Sequence, residues 1–202
     1  MKANSSTPEP EDQPGNKIGD AILKFIGHIP STSEIQSENP ADRARAIANR
    51  AALKAAAAAG ASALPPGPLA WITILPELVA VWKIQAQMVA DLAGTYGKTA
   101  YLSQGQMIYC LFRHGAAMAV RDIVVRVGDR YLVKRVTQRA LQAAAKRIGI
   151  RVTQKAAAKG LSRWIPVVGA LGVGGYAYYD TAHVAKTAIE MFGSEISLEE
   201  DT

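Results

Sequence analysis

Apolar residues in this chain are grouped in helical patterns that proline and glycine separate. The first pattern has the three- and four-residue spacing of one helix face, and its members are Ile18, Ala21, Ile22, Phe25 and Ile26. We expect a short amphipathic helix near residues 18–28, ended by Gly27 and Pro30. It either packs at the edge of the domain or anchors the chain on a membrane surface.

Longer helical segments follow, at residues 41–63, 69–95, 99–127, 131–148 and 151–159, and a last helix enters through Pro166 and ends at Phe192-Gly193. The consecutive prolines at 65 and 66 force a break, and Pro76 predicts a kink. No segment alternates strictly enough between apolar and polar residues to predict a strand. The pattern therefore predicts an all-α fold.

The ends of the chain differ in composition from its middle. Residues 1–16 are rich in Ser, Pro, Glu, Asn and Gly and hold too little apolar surface to order themselves. We expect residues 1–40 to form a disordered tail that carries the short helix, with residues 31–40 as a linker. A helical domain then covers residues 41–193. Residues 194–202 are acidic and are expected to form a flexible tail.

Two uncharged stretches, residues 55–76 and 164–179, resemble each other. In both regions a basic alanine-rich helix is followed by a glycine and then by a proline break. An apolar helix comes next, and it ends at an aromatic residue and a glycine. We expect two apolar helical hairpins linked by basic helices, whether or not they arose by duplication. Their apolar tips, expected either to insert into lipid or to pack in a core, are Trp71, Ile72, Trp164, Val167 and Val168. Small residues such as Ala170 and Gly174 would let helices approach closely.

Positive charge is concentrated between the two stretches. From Arg113 to Arg163 there are thirteen Lys or Arg residues, opposed only by Asp122 and Asp129. Two groups have strict four-residue spacing, and they comprise Arg126, Arg130 and Lys134, then Arg147, Arg151, Lys155, Lys159 and Arg163. Like charges at this spacing repel each other on a helix, so the pattern favours an anionic partner.

Several partners fit this charge, and a merely solvated basic face is the simplest alternative. Anionic lipid is favoured because basic segments that flank apolar ones are drawn to the negative cytoplasmic leaflet. An acidic protein segment also fits, including the chain's own tail. Nucleic acid is disfavoured, since no known binding module is present and few aromatic residues lie among the basic ones.

The composition excludes several kinds of chemistry. At 202 residues the chain suits one domain, and much of its 49% apolar content is alanine, which favours helices. The single cysteine, Cys110, cannot form an internal disulfide and lies in an apolar run that predicts burial. The polar N-terminus does not resemble a secretory signal, so we expect a cytoplasmic chain.

Candidate catalytic and metal-binding residues are few. Asp180 and His183 share a helix face beside Tyr176 and Tyr179, which is at most half of an acid–base or metal site. Glu77 is a lone carboxylate in an apolar segment. The glycines of residues 169–175 lack the following Lys-Ser/Thr of a phosphate loop. We therefore expect no enzymatic activity, metal or cofactor.

Short motifs across residues 45–193 resemble the EcsC family of α-helical bacterial proteins. The motifs are residues 61–68, Leu75-Pro-Glu-Leu78, residues 89–97, residues 165–170 with Gly174, and residues 181–192. A related closing segment occurs in helical domains appended to some bacterial GTPases. Glu77 stands where the family usually has Asp, and Tyr176 stands near a usual Asn, which puts any polar site there in doubt.

The resemblance implies a membrane-associated helical protein linked to transport or secretion, with no established reaction. Together with the order of uncharged and basic segments, it predicts a non-enzymatic protein on the cytoplasmic face of the membrane that binds anionic lipid or a membrane partner. The alternative is a soluble helical adaptor whose basic face binds an acidic protein.

Overall fold

Helices account for most of the computed structural model, which describes residues 14–62, 70–121, 123–128, 130–133, 136–159 and 166–198. Within these ranges the helices are α1 (Pro14–Ile26), α2 (Pro40–Ser62), α3 (Ala70–Thr95), α4 (Gln104–Val120), α5 (Gln138–Lys159) and α6 (Pro166–Gly193). The strands are β1 (Val124–Val127), β2 (Arg130–Val133) and β3 (Glu195–Leu198). The predicted all-α class is confirmed, and the bounds of α2, α3 and α6 agree closely with the prediction.

The centre of the fold is α4, which packs against α3, α5 and α6. Its eight consecutive residues from Gly105 to Phe112 are all buried, as expected of a helix that is apolar on every side. A capping box fixes where it begins: the Ser103 hydroxyl accepts from the Gln106 amide, and the Gln106 side-chain oxygen accepts from the Ser103 amide.

Glycine allows α1 and α5 to touch backbone to backbone. A Cβ atom on Gly149 would overlap the carbonyl oxygen of Gly15 and would lie 2.7 Å from the nitrogen of Gly19. Gly15 and Gly19 are four residues apart on α1, so both face the same crossing. No larger side chain fits at Gly149 unless the two helices separate.

A second close contact joins α6 to α2. A Cβ atom on Gly174 would lie 3.0 Å from the carbonyl oxygen of Ala56 and 3.8 Å from the Cα of Gly60. Ala55, Ala59 and Ala177 are buried around this contact. The expected close approach at Gly174 is confirmed, while the side chain of Ala170 lies outside the described part of the chain.

The pairing of helices differs from the predicted pair of hairpins. The first hairpin is present, because α2 packs along α3. In the described ranges, α5 does not pack along α6; its main partner is α1, and α6 packs mainly on α2. The second predicted hairpin is not seen in the described ranges, and its turn at residues 160–165 lies outside them. Each glycine contact joins helices that are far apart in sequence.

The apolar face of α1 belongs to the core. Ile18, Ile22 and Ile26 are buried, and Phe25 lies against Trp82 with ring centroids 6.2 Å apart. This face cannot anchor a membrane while it is buried, so the packing alternative is correct. The helix packs within the domain that was predicted to begin at residue 41.

The small sheet was not predicted. β1 and β2 are antiparallel, with Val127 opposite Arg130, and Gly128 has a φ of +60° in the two-residue turn between them. β3 pairs with β2 in parallel, with Glu195 beside Arg130. The predicted helix over residues 99–127 therefore ends too late, since α4 ends at Val120. The one over residues 131–148 begins too early, and α5 runs from Gln138 without a break through the separately predicted helix at 151–159.

Two segments expected to be a linker and a flexible tail are held in place. Residues 31–37 lie along α3, where the Thr32 hydroxyl donates to Asp91 at 2.6 Å and the Ser37 amide donates to the Thr95 carbonyl at 3.0 Å. Residues 195–198 form β3. The predictions for residues 1–13, 63–69 and 199–202 lie outside the described residues.

Substituting Gly149 with alanine tests the α1–α5 contact. The added methyl group must push the two backbones apart, so we expect Gly149→Ala to lower the free energy of unfolding by about 2 kcal/mol, as overpacking does. Gly172→Ala is the matched control in α6, because a Cβ there meets nothing within 4 Å. The control should gain up to about 1 kcal/mol from helix propensity. Urea denaturation measures both, and equal stability of the two variants would contradict the close contact.

Candidate functional site

All charged residues on the exposed surface of α5 are basic. Arg139, Lys146, Arg147 and Arg151 are exposed on it, and α5 contains no Asp or Glu. Ile150 lies on the same surface and is 41% exposed. Among the described residues, no ion pair includes any of these four basic side chains. We call Arg139, Lys146, Arg147, Ile150 and Arg151 the basic face of α5.

Of the basic residues with four-residue spacing in the sequence, only some lie on this face. Lys155 and Lys159 lie in α5, but their side chains lie outside the described residues, as do Lys134 and Arg163 altogether. Arg126 is on β1 and Arg130 is on β2, so their four-residue spacing does not place them on one helix face.

The two strand arginines have partners within the chain. The Arg126 guanidinium lies 5.8 Å from the centroid of the Tyr131 ring and donates to the Gly128 carbonyl at 3.1 Å. Arg130 contacts Glu195 at 2.9 Å. Glu195, the first residue of β3 and part of the acidic C-terminal segment, therefore pairs with one of the excess positive charges.

The side chains of the predicted apolar tips lie outside the described part of the chain. Trp71 and Ile72 lie at the start of α3, and Val167 and Val168 at the start of α6, but their side chains lie outside the described residues, as does Trp164. The same holds for the side chain of Glu77. Among the helices that the structure describes, none combines the length and the hydropathy needed to cross a membrane.

A cavity of about 180 Å³ lies where α3, α4, α5 and α6 meet. Trp82, Leu111, Phe112 and Ile148 form its apolar floor and are all buried. Trp82 and Phe112 pack edge to face, with ring centroids 5.4 Å apart. Next to the cavity α4 kinks at Ala116, whose φ of −145° and ψ of 46° are not helical.

The polar side of this cavity contains a histidine–carboxylate pair. His114 on α4 and Asp180 on α6 line the cavity with Arg151 and Tyr176, and His114 Nε2 lies 2.6 Å from Asp180 Oδ1. The pair is mostly shielded, with side-chain exposures of 20% and 21%. When Asp180 is ionised, Nε2 carries the proton that the carboxylate accepts, which leaves Nδ1 as the acceptor of a neutral ring.

A buried glutamine donates a hydrogen bond to the second carboxylate oxygen of Asp180. Gln85 is 1% exposed, and its side-chain nitrogen donates to Asp180 Oδ2 at 2.8 Å and to the Thr181 hydroxyl at 3.1 Å. Both carboxylate oxygens of Asp180 thus have protein partners. Because Gln85 is packed in the core, it fixes the direction of the Asp180 side chain.

The structure pairs Asp180 with His114 rather than with His183, the partner considered from sequence; His183 Nδ1 lies 2.9 Å from the Tyr179 carbonyl oxygen. His183 stacks on Tyr179 with centroids 4.1 Å apart, and its ring lies 5.7 Å from that of His114. Burial raises the pKa of Tyr176, and Asp180 and Tyr179 raise it further. Across the described residues, no group of three or more His, Cys, Asp or Glu side chains could hold a metal ion.

Sequence reasoning missed His114 and Gln85 as members of the site. His114 lies 66 residues from Asp180, and Gln85 lies 95 residues from it. The available signal was weak: His114 follows the apolar run of α4, and Gln85 is a lone polar residue on an otherwise buried face of α3.

A second, larger groove of about 330 Å³ lies between α2, α3 and the 31–37 segment. Its rim mixes Arg50, Lys54 and Lys83 with Glu34 and Asp91. The Arg43 guanidinium donates to the Glu34 carboxylate and lowers its pKa. Charges of both signs line this groove, so it favours no single class of ligand.

No protein-family model, no curated protein and no solved structure matches this chain. The resemblance to the EcsC family therefore rests on its short motifs and stays a prediction.

Replacing Gln85 tests the support of Asp180. Gln85→Leu keeps the volume but leaves the Asp180 carboxylate and the Thr181 hydroxyl without their donor, so we expect a loss of about 1–3 kcal/mol in the free energy of unfolding. Gln142→Leu is the control, because Gln142 is exposed on α5 with no side-chain hydrogen bond among the described residues, and it should change stability by no more than about 0.5 kcal/mol. A Gln85→Leu protein as stable as wild type would contradict the buried network.

Cys110 provides a test of core packing. The predicted burial is confirmed, since Cys110 is 0% exposed, and burial raises the pKa of its thiol well above the ordinary value. The native protein should resist a thiol reagent at mildly alkaline pH and should react fully once denatured, because the thiolate is the reactive form. As the chain has one cysteine, the reagent reports this site alone. Rapid labelling of the native protein would show that α4 is not enclosed.

Proposed function

We propose that this protein is a non-enzymatic, peripheral protein of the cytoplasmic membrane face, and that the basic face of α5 binds anionic lipid. The single observation that carries the proposal is Ile150, an exposed apolar residue among four basic side chains that have no acidic partner in the described residues. A helix surface that combines basic and apolar residues binds a lipid interface by both charge and apolar burial.

The basic residues of α5 support this function better than the two arginines of the β1–β2 hairpin do. Arg126 and Arg130 already interact with Tyr131 and Glu195, so their charge is partly used within the protein. Arg139, Lys146 and Arg147 project from one exposed helix surface, where a flat array of headgroups can reach all three. The resemblance to the EcsC family adds the expectation of a transport or secretion partner at the membrane.

A soluble adaptor is the second candidate, and one observation favours it. β3 brings the acidic residue Glu195 to Arg130 and adds a parallel strand to β2, so the chain itself pairs an extended acidic segment with a basic strand. An acidic peptide from another protein would meet the basic face of α5 through the same chemistry. Binding of nucleic acid is not part of either proposal.

Vesicle flotation with matched charge variants tests the leading proposal. Wild type should float with vesicles that contain phosphatidylglycerol and stay behind with pure phosphatidylcholine. The triple variant Arg139→Gln/Lys146→Gln/Arg147→Gln should lose affinity on the order of 100-fold, at about 1 kcal/mol per basic residue. The control Lys54→Gln/Lys83→Gln/Lys186→Gln removes the same charge from exposed positions on α2, α3 and α6 and should float nearly as wild type.

Three results would contradict lipid binding by α5. They are a failure to float at low salt, equal flotation with neutral vesicles, and an equal loss of flotation in both triple variants. In the first case, binding of fluorescent poly-glutamate that the α5 variant loses and the control retains would support the adaptor instead. A shift of random double-stranded DNA that weakens steeply with salt would point to nucleic acid and would contradict both candidates.

A further inference from the structure

The cavity between α3, α4, α5 and α6 has the size of a small organic molecule. Its volume of about 180 Å³ exceeds that of an apolar protein cavity of about 150 Å³ that holds benzene. The floor, made by Trp82, Phe112 and Ile148, is mostly hydrocarbon, so an occupant gains by placing carbon atoms there. One aromatic ring or a chain of about six carbons fits this space.

The polar groups that line the cavity differ in how far the protein already satisfies them. Among the described residues, Asp180 is the only acidic residue that lines it, and both of its oxygens are bonded within the protein, to His114 and to Gln85. Arg151 has no ion-pair partner among the described residues. The hydrogen-bond donors left for an occupant are therefore those of the Arg151 guanidinium, which can hold a carboxylate through two parallel hydrogen bonds.

We propose that this cavity binds a small monocarboxylic acid, with its carboxylate at Arg151 beside His114 and its hydrocarbon part on Trp82 and Phe112. The Asp180–His114 pair positions the imidazole at the rim rather than reacting with the ligand, and Gln85 keeps that pair in place. The ligand is amphipathic because buried apolar side chains and the Arg151 guanidinium line the same cavity.

The cavity and the basic face of α5 meet at Arg151 but use different neighbours. Arg147 lies one turn before Arg151 on α5 and does not line the cavity. Loss of Arg147 should therefore weaken lipid binding and spare the acid, while loss of Arg151 should remove the acid. This inference does not depend on the membrane function, since the acid is tested without vesicles.

Isothermal titration calorimetry with hexanoate tests the site. Wild type and Arg147→Met should bind one hexanoate with similar affinity, and Arg151→Met should bind it at least about tenfold more weakly, because a hydrogen-bonded charge is lost. Hexanol, which has the same chain without the charge, should bind wild type more weakly than hexanoate does. In NMR spectra, bound hexanoate should show nuclear Overhauser contacts to the rings of Trp82 and Phe112.

Each opposite result overturns the proposal. If wild type does not bind hexanoate saturably, the cavity is not a ligand site. If hexanol binds as well as hexanoate, the carboxylate is not recognised. If Arg147→Met and Arg151→Met weaken binding equally, the effect is one of general surface charge. Both variants change exposed side chains, so circular dichroism should show that they fold as wild type does.

Discussion

Backbone contact between helices is the constraint on which the rest of the fold depends. At Gly149 the α5 backbone meets Gly15 and Gly19 of α1, and at Gly174 the α6 backbone meets Ala56 and Gly60 of α2. Helices without intervening side chains lie closer than the usual 8–10 Å between axes. The larger side chains of α1, α3 and α4 are consequently directed to the middle, where Phe25, Trp82 and Phe112 pack together.

The cavity follows from how the helices converge on α4. The central helix is buried over its first half and then kinks at Ala116, next to His114. At that level the four helices leave a space that their side chains do not fill. Apolar side chains from α3, α4 and α5 line most of it, and α5 also contributes Arg151, so one helix contributes to both candidate binding surfaces.

Much of the helical content could be predicted from the sequence, because proline and glycine mark the helix ends directly. Pro40 and Pro166 begin helices, and Gly97 and Gly193 follow or close them. The strands were missed at residues 124–133 because the four-residue spacing of Arg126 and Arg130 was interpreted as helical. The same segment holds valines and a Gly-Asp pair, which is the usual signature of a hairpin.

The partners of each helix could not be derived from periodicity. The apolar stripe of α1 predicts a buried face but does not specify α5 as its cover, because any helix with small residues at the right spacing would serve. The candidate site was incomplete in the sequence for the same reason. Asp180 could be selected as a candidate, but His114 and Gln85 lie beside it only because α4 and α3 pack against α6. Such contacts depend on tertiary structure, for which one sequence gives no direct signal.

The cross-pairing of helices has a consequence for the rate of folding. α1 and α5 are separated by more than a hundred residues, and so are α2 and α6, although each pair makes one of the most extensive contacts in the molecule. Helical proteins usually fold fast because their contacts are local, whereas distant contacts require a large loss of chain entropy before they stabilise anything. This chain should therefore fold slowly for a helical protein, and α1 should remain without its partner until α5 has been synthesised.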